Sequence, residues 1–92
     1  MRQVRLRSKA KSDLFAIDSY TRKQWGEEKA KGMEKILRQS FELIAETPYF
    51  GRKTREEFVL AKTLPVVPFV IVYKVAEDFI YILRIVHTKR NR

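Results

Sequence analysis

The C-terminal third of the chain carries two long apolar runs. They cover Pro68–Val75 and Phe79–His87 and are rich in Val, Ile, Phe and Tyr. These residue types favour β-strands, because β-branched and aromatic side chains pack well on a pleated, half-buried surface. The polar break Ala76–Asp78 between the runs predicts an antiparallel hairpin. A hairpin this apolar is not stable alone, so the rest of the chain must cover at least one of its faces.

Helical periodicity dominates residues 8–46. A first helix is predicted from Ser8, as its N-cap, to about Gln24, and a second from Glu27 to about Glu46. Gly26 allows the chain to reverse between them, which predicts an antiparallel helical hairpin. In both helices apolar side chains recur every three or four residues and so share one face. The predicted buried faces comprise Ala10, Leu14, Ile17, Thr21 and Trp25 in the first helix and Ala30, Met33, Leu37, Phe41 and Ile44 in the second.

Shorter strands are predicted on either side of the helical hairpin. Arg2–Arg7 alternates apolar and basic side chains, and Phe58–Lys62 is a short strand-like run that follows a polar turn at Tyr49–Glu57. The order strand, helix, helix, strand, strand, strand predicts a two-layer α+β fold. In it, the N-terminal strand and the α-helical hairpin pack on a mostly antiparallel sheet of three to four strands, and residues 1–92 form one domain. One face of the sheet is left open.

The chain is strongly basic. It carries 20 Lys and Arg against 11 Asp and Glu, for a formal net charge of +9. An excess of this size predicts attraction to an acidic partner, which is nucleic acid, an anionic membrane or an acidic protein. With no cysteine and a single histidine, neither a disulfide nor a Cys- or His-based metal site is expected, and no cofactor is predicted.

Targeting and membrane signals are not evident in the sequence. The N-terminal stretch MRQVRLRSKAK has no apolar segment of the kind that secretory signals contain. The longest apolar run, Leu64–Tyr73, is about half the length that a bilayer-spanning helix needs, and it contains two prolines. We therefore expect a soluble, cytoplasmic protein with no membrane partner.

Several short motifs occur in the order and spacing of a known family. They are Ser8–Thr21, Trp25-Gly26 with acidic residues after it, Pro48-x-x-Gly51-Arg52, Thr54-Arg55-Glu56, Pro68–Tyr73, and Ile82–His87 followed by Lys89-Arg90. None of these motifs is specific alone, but together they extend over nearly the whole chain. By these motifs the sequence resembles the ParE/RelE superfamily of bacterial toxin–antitoxin toxins, and the resemblance implies the same α+β fold.

The resemblance implies one of two activities. ParE-like members poison DNA gyrase by binding it, without hydrolysis, whereas RelE-like members cut mRNA in the ribosomal A site. Both are silenced by a cognate antitoxin, whose flexible segment folds as it wraps the toxin. An acidic segment would complement the net charge of this chain and associate with it quickly. The expected partners are therefore an antitoxin and DNA gyrase, or, in the alternative, an antitoxin with the ribosome and mRNA.

Two departures from the RelE pattern favour the ParE-like branch. RelE-like nucleases place an arginine where this chain has Val70, and their C-terminal tyrosine has no counterpart before Arg92. Cleavage of RNA needs a base, an acid and cations on the phosphate, so the nuclease site is incomplete. The protein is expected to bind gyrase rather than to act as an enzyme. A third interpretation is a relative that has lost its activity and survives as a binding module.

Candidate site residues follow from these activities. In the nuclease interpretation His87 and Arg90 are catalytic, because histidine is the residue type best suited to acid–base catalysis near neutral pH and Arg90 matches a basic residue of RelE-like enzymes. The alternative for His87 is a strand-end histidine that is hydrogen-bonded to a neighbouring loop. The residues expected to bind the target or the antitoxin are Arg52, Arg55, Arg84, Lys89, Arg90 and Arg92.

Several of these residues have competing structural interpretations. Arg84 lies in an apolar strand, where a charge is costly unless paired, so it either contacts Asp13 or Asp18 or points from the open face towards a phosphate. Arg52, Lys53 and Arg55 either form a phosphate patch or are simply solvated. If the chain ends are neighbours, they form one basic rim. The rim would comprise Arg5, Arg7, Lys89, Arg90 and Arg92, while Tyr20 and Trp25 are expected in the helical core.

Overall fold

The structure is a computed structural model that describes residues 1–90 of the chain. Two long helices lie between the first strand and four further strands. The elements are β1 (Gln3–Leu6), α1 (Ser8–Trp25), α2 (Glu27–Glu46), a 3₁₀ turn (Pro48–Phe50), β2 (Arg52–Lys53), β3 (Val59–Thr63), β4 (Phe69–Val75), β5 (Phe79–His87) and a second 3₁₀ turn (Thr88–Arg90).

The strands form one five-stranded sheet in the order β1-β5-β4-β3-β2. Strands β2 to β5 are antiparallel to their neighbours, and β1 pairs in parallel with β5, which places Val4 opposite Ile80 and Leu6 opposite Ile82. Because β1 forms one edge of the sheet, its outer side has no strand partner among the described residues. The expected α+β class and two-layer arrangement are confirmed.

The core lies between one face of the sheet and the helical hairpin. The largest fully buried side chains are Ile71 and Tyr73 of β4, Ile80 and Ile82 of β5, and Leu37 of α2. Alternate residues of β4 and β5 therefore face the helices, as the pleat requires. The apolar stripe of the helices is the cover that the apolar hairpin needed, and that prediction holds.

The sheet has one strand that sequence patterns did not indicate. Arg52–Lys53 pairs with β3 inside the region expected to be a polar turn. The hydroxyl of Tyr73 donates a hydrogen bond to the carbonyl of Pro48 at 2.7 Å and so ties this region to β4. Strand β3 begins at Val59 rather than at Phe58, because Phe58 has a φ of 65° and completes the turn.

Two aromatic side chains expected in the helical core are exposed. Tyr20 is 64% exposed and Trp25 is 68% exposed, so that expectation is wrong. Tyr20 lies off the stripe that buries Ala10 and Thr21, and Trp25 lies in the last turn of α1, where the chain reverses at Gly26. Helix α1 begins at Ser8 with Arg7 as its N-cap and with no side-chain capping bond, so the expected Ser8 cap is also wrong.

Candidate functional site

The sheet face that points away from the helices is accessible at Arg5 and Lys74, but it is not open throughout, because Val59, Ala61 and Val70 on the same face are buried. Val4, Leu6, Ile80 and Ile82 pack against the core, so the alternate positions of β1 and β5 point to the other side. There the register places Arg5 of β1 opposite Tyr81 of β5, which is in turn opposite Lys74 of β4. A row of basic, aromatic and basic side chains therefore crosses three neighbouring strands.

Arginine and aromatic side chains stack on each other across β1 and β5. The guanidinium of Arg5 lies 4.9 Å from the ring centroid of Phe79, and that of Arg7 lies 4.3 Å from the ring centroid of Tyr81. The centroids of the two rings are 5.8 Å apart. The distances from guanidinium to ring are within the range of cation–π interactions. We call Arg5, Arg7, Phe79 and Tyr81 the open-face ladder.

The positive charge of the chain is concentrated outside the helices. Helices α1 and α2 carry eight Lys and Arg against seven Asp and Glu, whereas the rest of the sequence carries twelve against four. Those four acidic residues are Glu56 and Glu57, which lie between β2 and β3, and Glu77 and Asp78, which lie between β4 and β5. The five strands of the described chain therefore contain basic residues and no acidic ones.

A groove of about 460 Å³ lies between β1 and the helices. The amides of Gln3 and Arg7 donate to carbonyls of Asp78 and Ile82 at 3.1 and 2.9 Å, so the alternation along a parallel strand directs the amides of the intervening Val4 and Leu6 towards the free edge. We call the groove between β1 and the helices the β1–α2 groove. Its lining combines apolar Val4, Leu6, Leu14, Leu37 and Phe41 with charged Arg5, Lys11, Glu34 and Arg38.

Arg84 is paired, as one of its two interpretations predicted. Its Nε and Nη2 donate to the two carboxylate oxygens of Asp13 at 2.8 and 3.1 Å, and the Ile85 amide donates to the same carboxylate at 2.9 Å. Asp18 instead accepts from Arg22, one turn further along α1. Burial raises the pKa of the Asp13 carboxyl, but the hydrogen bonds from Arg84 and Ile85 outweigh that effect and lower the pKa below its ordinary value.

His87 has the structural partners of a strand-end histidine. Its Nδ1 accepts a hydrogen bond from the Lys89 amide at 3.1 Å, and its ring packs edge-on against Phe69 with 5.6 Å between centroids. Among the described residues, no acidic side chain is bonded to it. The Arg90 side chain and the whole of Arg92 lie outside the part of the chain that the structure describes, so their assigned roles stay predictions.

The remaining basic candidates do not form one surface. Arg52 lies on β2 and Arg55 in the following loop, both exposed at the edge of the sheet opposite β1. Lys89 lies two residues after the end of β5, whereas Arg5 of β1 is opposite Tyr81 near the beginning of that strand. Tyr81 and His87 are separated by about 20 Å of strand. Arg5 and Lys89 are therefore not neighbours, so they do not meet the condition on which a single basic rim was expected.

Comparison with known proteins decides the family. A family model described as ParE toxin of type II toxin-antitoxin system, parDE, matches residues 4–92. The chain belongs to the ParE toxin family. A curated relative, Toxin ParE1 of Caulobacter vibrioides, is 38% identical over 52 residues, which are 56% of this chain and 54% of that protein. The match thus spans about half the length of this relative.

A solved structure has the same fold as this chain. The chain described as chromosomal ParDE TA system from P. aeruginosa superposes with a TM-score of 0.82 at 27% identity, and the match covers 95% of this chain and 96% of that one. The resemblance to the ParE/RelE superfamily is confirmed, and the protein is a ParE-like toxin of a ParDE toxin–antitoxin system.

In this ParE protein, the side chains on the sheet face that points away from the helices differ between the two ends of that face. Val70, at the position where RelE-like nucleases place an arginine, is 3% exposed and lies opposite Thr63 and Val86. Val70 is therefore buried at this end of the face, whereas the basic and aromatic side chains gather at the β1 end. The ladder had a sequence signal, since Arg5 with Arg7 and Phe79 with Tyr81 are both spaced by two residues. Their stacking depends on the parallel pairing of β1 with β5, which sequence patterns do not give.

Two other kinds of site are absent from the part of the chain that the structure describes. None of its helices has the length and apolar character needed to cross a bilayer. No cluster of three or more His, Cys, Asp or Glu side chains is placed there to hold a metal ion.

Proposed function

We propose that this ParE toxin inhibits DNA gyrase by binding it, without hydrolysis, and that a cognate antitoxin prevents this. The observation that carries the proposal is the ParE family match over residues 4–92. It is supported by the contacts of His87 with described residues, which are a hydrogen bond from the Lys89 amide and the edge-on packing against Phe69, and which include no acidic or basic side chain of the kind that RNA cleavage requires. The buried Val70, at the position where RelE-like nucleases place an arginine, agrees with the same interpretation.

A supercoiling assay tests the proposal directly. Purified toxin is titrated into gyrase, ATP and relaxed plasmid, and plasmid topology is read on a gel. We expect loss of supercoiling together with accumulation of covalent gyrase–DNA complexes, and intact mRNA in a parallel translation reaction. Unchanged supercoiling at a large excess of toxin would contradict the proposal. Cleaved mRNA with unchanged supercoiling would identify a ribosome-dependent nuclease instead.

The β1–α2 groove is the proposed binding site of the antitoxin. Its apolar floor can take alternate apolar side chains of an extended segment, and the free edge of β1 can add that segment as a sixth strand. Arg5, Lys11 and Arg38 at the groove favour acidic residues between the apolar ones. An acidic, partly apolar antitoxin segment matches both properties.

Charge reversal at the groove is expected to weaken antitoxin binding. The variant Lys11→Glu with Arg38→Glu should bind the protein encoded beside the toxin gene about tenfold or more weakly, because two attractive contacts become repulsive. Isothermal titration calorimetry gives the dissociation constant. The matched control, Lys29→Glu with Lys35→Glu, changes the charge equally on exposed α2 residues outside the groove. Equal weakening in both variants would rule out the groove as the site.

A further inference from the structure

We propose that the open-face ladder, together with Lys74, binds single-stranded DNA. The inference rests on the proposed function in one respect only, which is that gyrase as target makes DNA rather than RNA the nucleic acid within reach. The physical case rests on the ladder itself, on its charge and on its exposure.

The ladder has the two components that sequence-independent binding of single strands requires. Arg5, Arg7 and Lys74 are exposed cations, and Phe79 and Tyr81 are half-buried rings held beside them. Grooves of this type combine cations that follow the phosphates with aromatic or guanidinium planes on which bases stack. Stacking on an aromatic ring orders each arginine and leaves the edge of its guanidinium free to donate to phosphate oxygens.

The charge on this face favours a polyanion. Among the described residues the strands contain no Asp or Glu, and the acidic residues nearest to β5 in the chain, Glu77 and Asp78, lie in the turn that precedes it. Arg84, a further basic residue of β5, is already paired with Asp13 and is not counted in the site. The three cations of the site form no ion pair within residues 1–90, so they attract phosphates without competition from carboxylates on the same face.

A single strand fits the face better than a duplex does. In a duplex the base faces are stacked on each other, so only the phosphates could contact the ladder. An unpaired base can instead stack on the Arg5–Phe79 or Arg7–Tyr81 plane. Arg7 continues the extended backbone one residue beyond β1, so positions 5 and 7 lie on the same side and are about 7 Å apart. A few nucleotides can therefore span the open-face ladder.

Fluorescence anisotropy with a labelled thymidine oligomer of about 12 nucleotides, within the site sizes typical of such grooves, tests the inference. We expect saturable binding at low salt, with log K falling against log[salt] at a slope of about −2, because three phosphate contacts on a single strand give ~0.7 each. The variant Arg5→Gln with Arg7→Gln should reduce that slope to about −0.7. Tyr81→Leu should weaken binding about tenfold with the slope unchanged, since it removes stacking and leaves the charge.

The controls separate the ladder from the general positive charge of the protein. Lys29→Gln with Lys35→Gln removes two charges from the exposed surface of α2 and should leave affinity and slope close to those of the unmodified protein. Circular dichroism verifies that every variant is folded. An equal loss of affinity for the oligomer in the α2 variant and in the ladder variants would overturn the inference. The absence of binding at a salt concentration of about 50 mM, where phosphate contacts are strong, would also overturn it.

Two further ligands, an RNA oligomer and an acidic peptide, test whether DNA is the preferred ligand of the open-face ladder. Tighter binding of an oligouridine of the same length, or of an acidic glutamate-rich peptide, would also overturn the inference, because the face would then be an RNA or a peptide site. Oligomer binding is measured without gyrase, so its failure would leave the supercoiling result unaffected. Conversely, normal oligomer binding with unchanged supercoiling would contradict the proposed function alone.

Discussion

Gly51→Ala is expected to lower the free energy of unfolding by about 2–3 kcal/mol, because it overpacks a tight contact in the core. A β-carbon on Gly51 would lie inside van der Waals contact of the Tyr73 hydroxyl and 3.1 Å from the β-carbon of Leu60. Tyr73 is fully buried, and its hydroxyl is held by the Pro48 carbonyl at 2.7 Å, so the ring cannot move aside. Urea unfolding followed by circular dichroism measures the change.

Two companion variants make this result specific. Tyr73→Phe removes the hydroxyl, so Gly51→Ala should destabilise the Tyr73→Phe protein less than it destabilises the unmodified protein. In a double-mutant cycle, the double variant should therefore lose less stability than the sum of the losses of the two single variants. Gly32→Ala is the matched control, since a β-carbon at this position of α2 would meet no atom within 4 Å, and it should stabilise the protein by about 1 kcal/mol. A Gly51→Ala protein as stable as the unmodified one would show that the region near β2 is loosely packed.

Asp13→Asn is expected to destabilise the protein by about 2 kcal/mol at neutral pH, through weakened hydrogen bonds to a charged group. The carboxylate accepts from both Arg84 nitrogens and from the Ile85 amide, and its side chain is only 17% exposed. Asp18→Asn is the control, because the Asp18–Arg22 pair is exposed and lies within one helix, where such pairs contribute about 0.5 kcal/mol or less. Equal costs in the two variants would refute this role of Asp13.

The contribution of Asp13 to the stability of the folded protein depends on pH, and the direction of this dependence follows from its pKa. The pKa of Asp13 is lowered by folding from its ordinary value of 3.8, so the folded state favours the ionised carboxylate. The stability it provides is complete above pH 3.8 and is lost as the pH falls through the lower pKa of the folded state. Thermal unfolding measured from neutral pH down to strongly acidic pH should therefore show the gap between Asp13→Asn and the unmodified protein closing only at the acidic end. A gap that is constant over this range would contradict the assignment.

Local sequence patterns were sufficient to predict the two helices and the β4–β5 hairpin. The spacing of Ala30, Leu37, Phe41 and Ile44 fixes the buried side of α2, and all four residues are buried. The polar break at residues 76–78 likewise separates two antiparallel strands. These elements are predictable because the interactions that define them lie within a few residues of each other in the chain.

Features that depend on distant residues could not be predicted. The β2 strand is defined by its pairing with β3, after a turn that Tyr73 of β4 holds through the Pro48 carbonyl. The pairing of Arg84 with Asp13 rather than Asp18 depends on how α1 lies along β5. The ladder joins β1 to residues more than 70 positions away. Periodicity placed Trp25 on the buried stripe, but it carries no information on where the packed part of that stripe ends.

The parallel pairing of β1 with β5 also has a consequence for biosynthesis. Translation produces residues 3–6 more than 70 residues before residues 79–87, so β1 has no partner strand until β5 has been made. Contacts between such distant positions slow folding, because a long loop must close before they form. A nascent chain that ends before Phe79 therefore cannot stack Arg5 on the Phe79 ring, and the open-face ladder is assembled only after β5 has been synthesised.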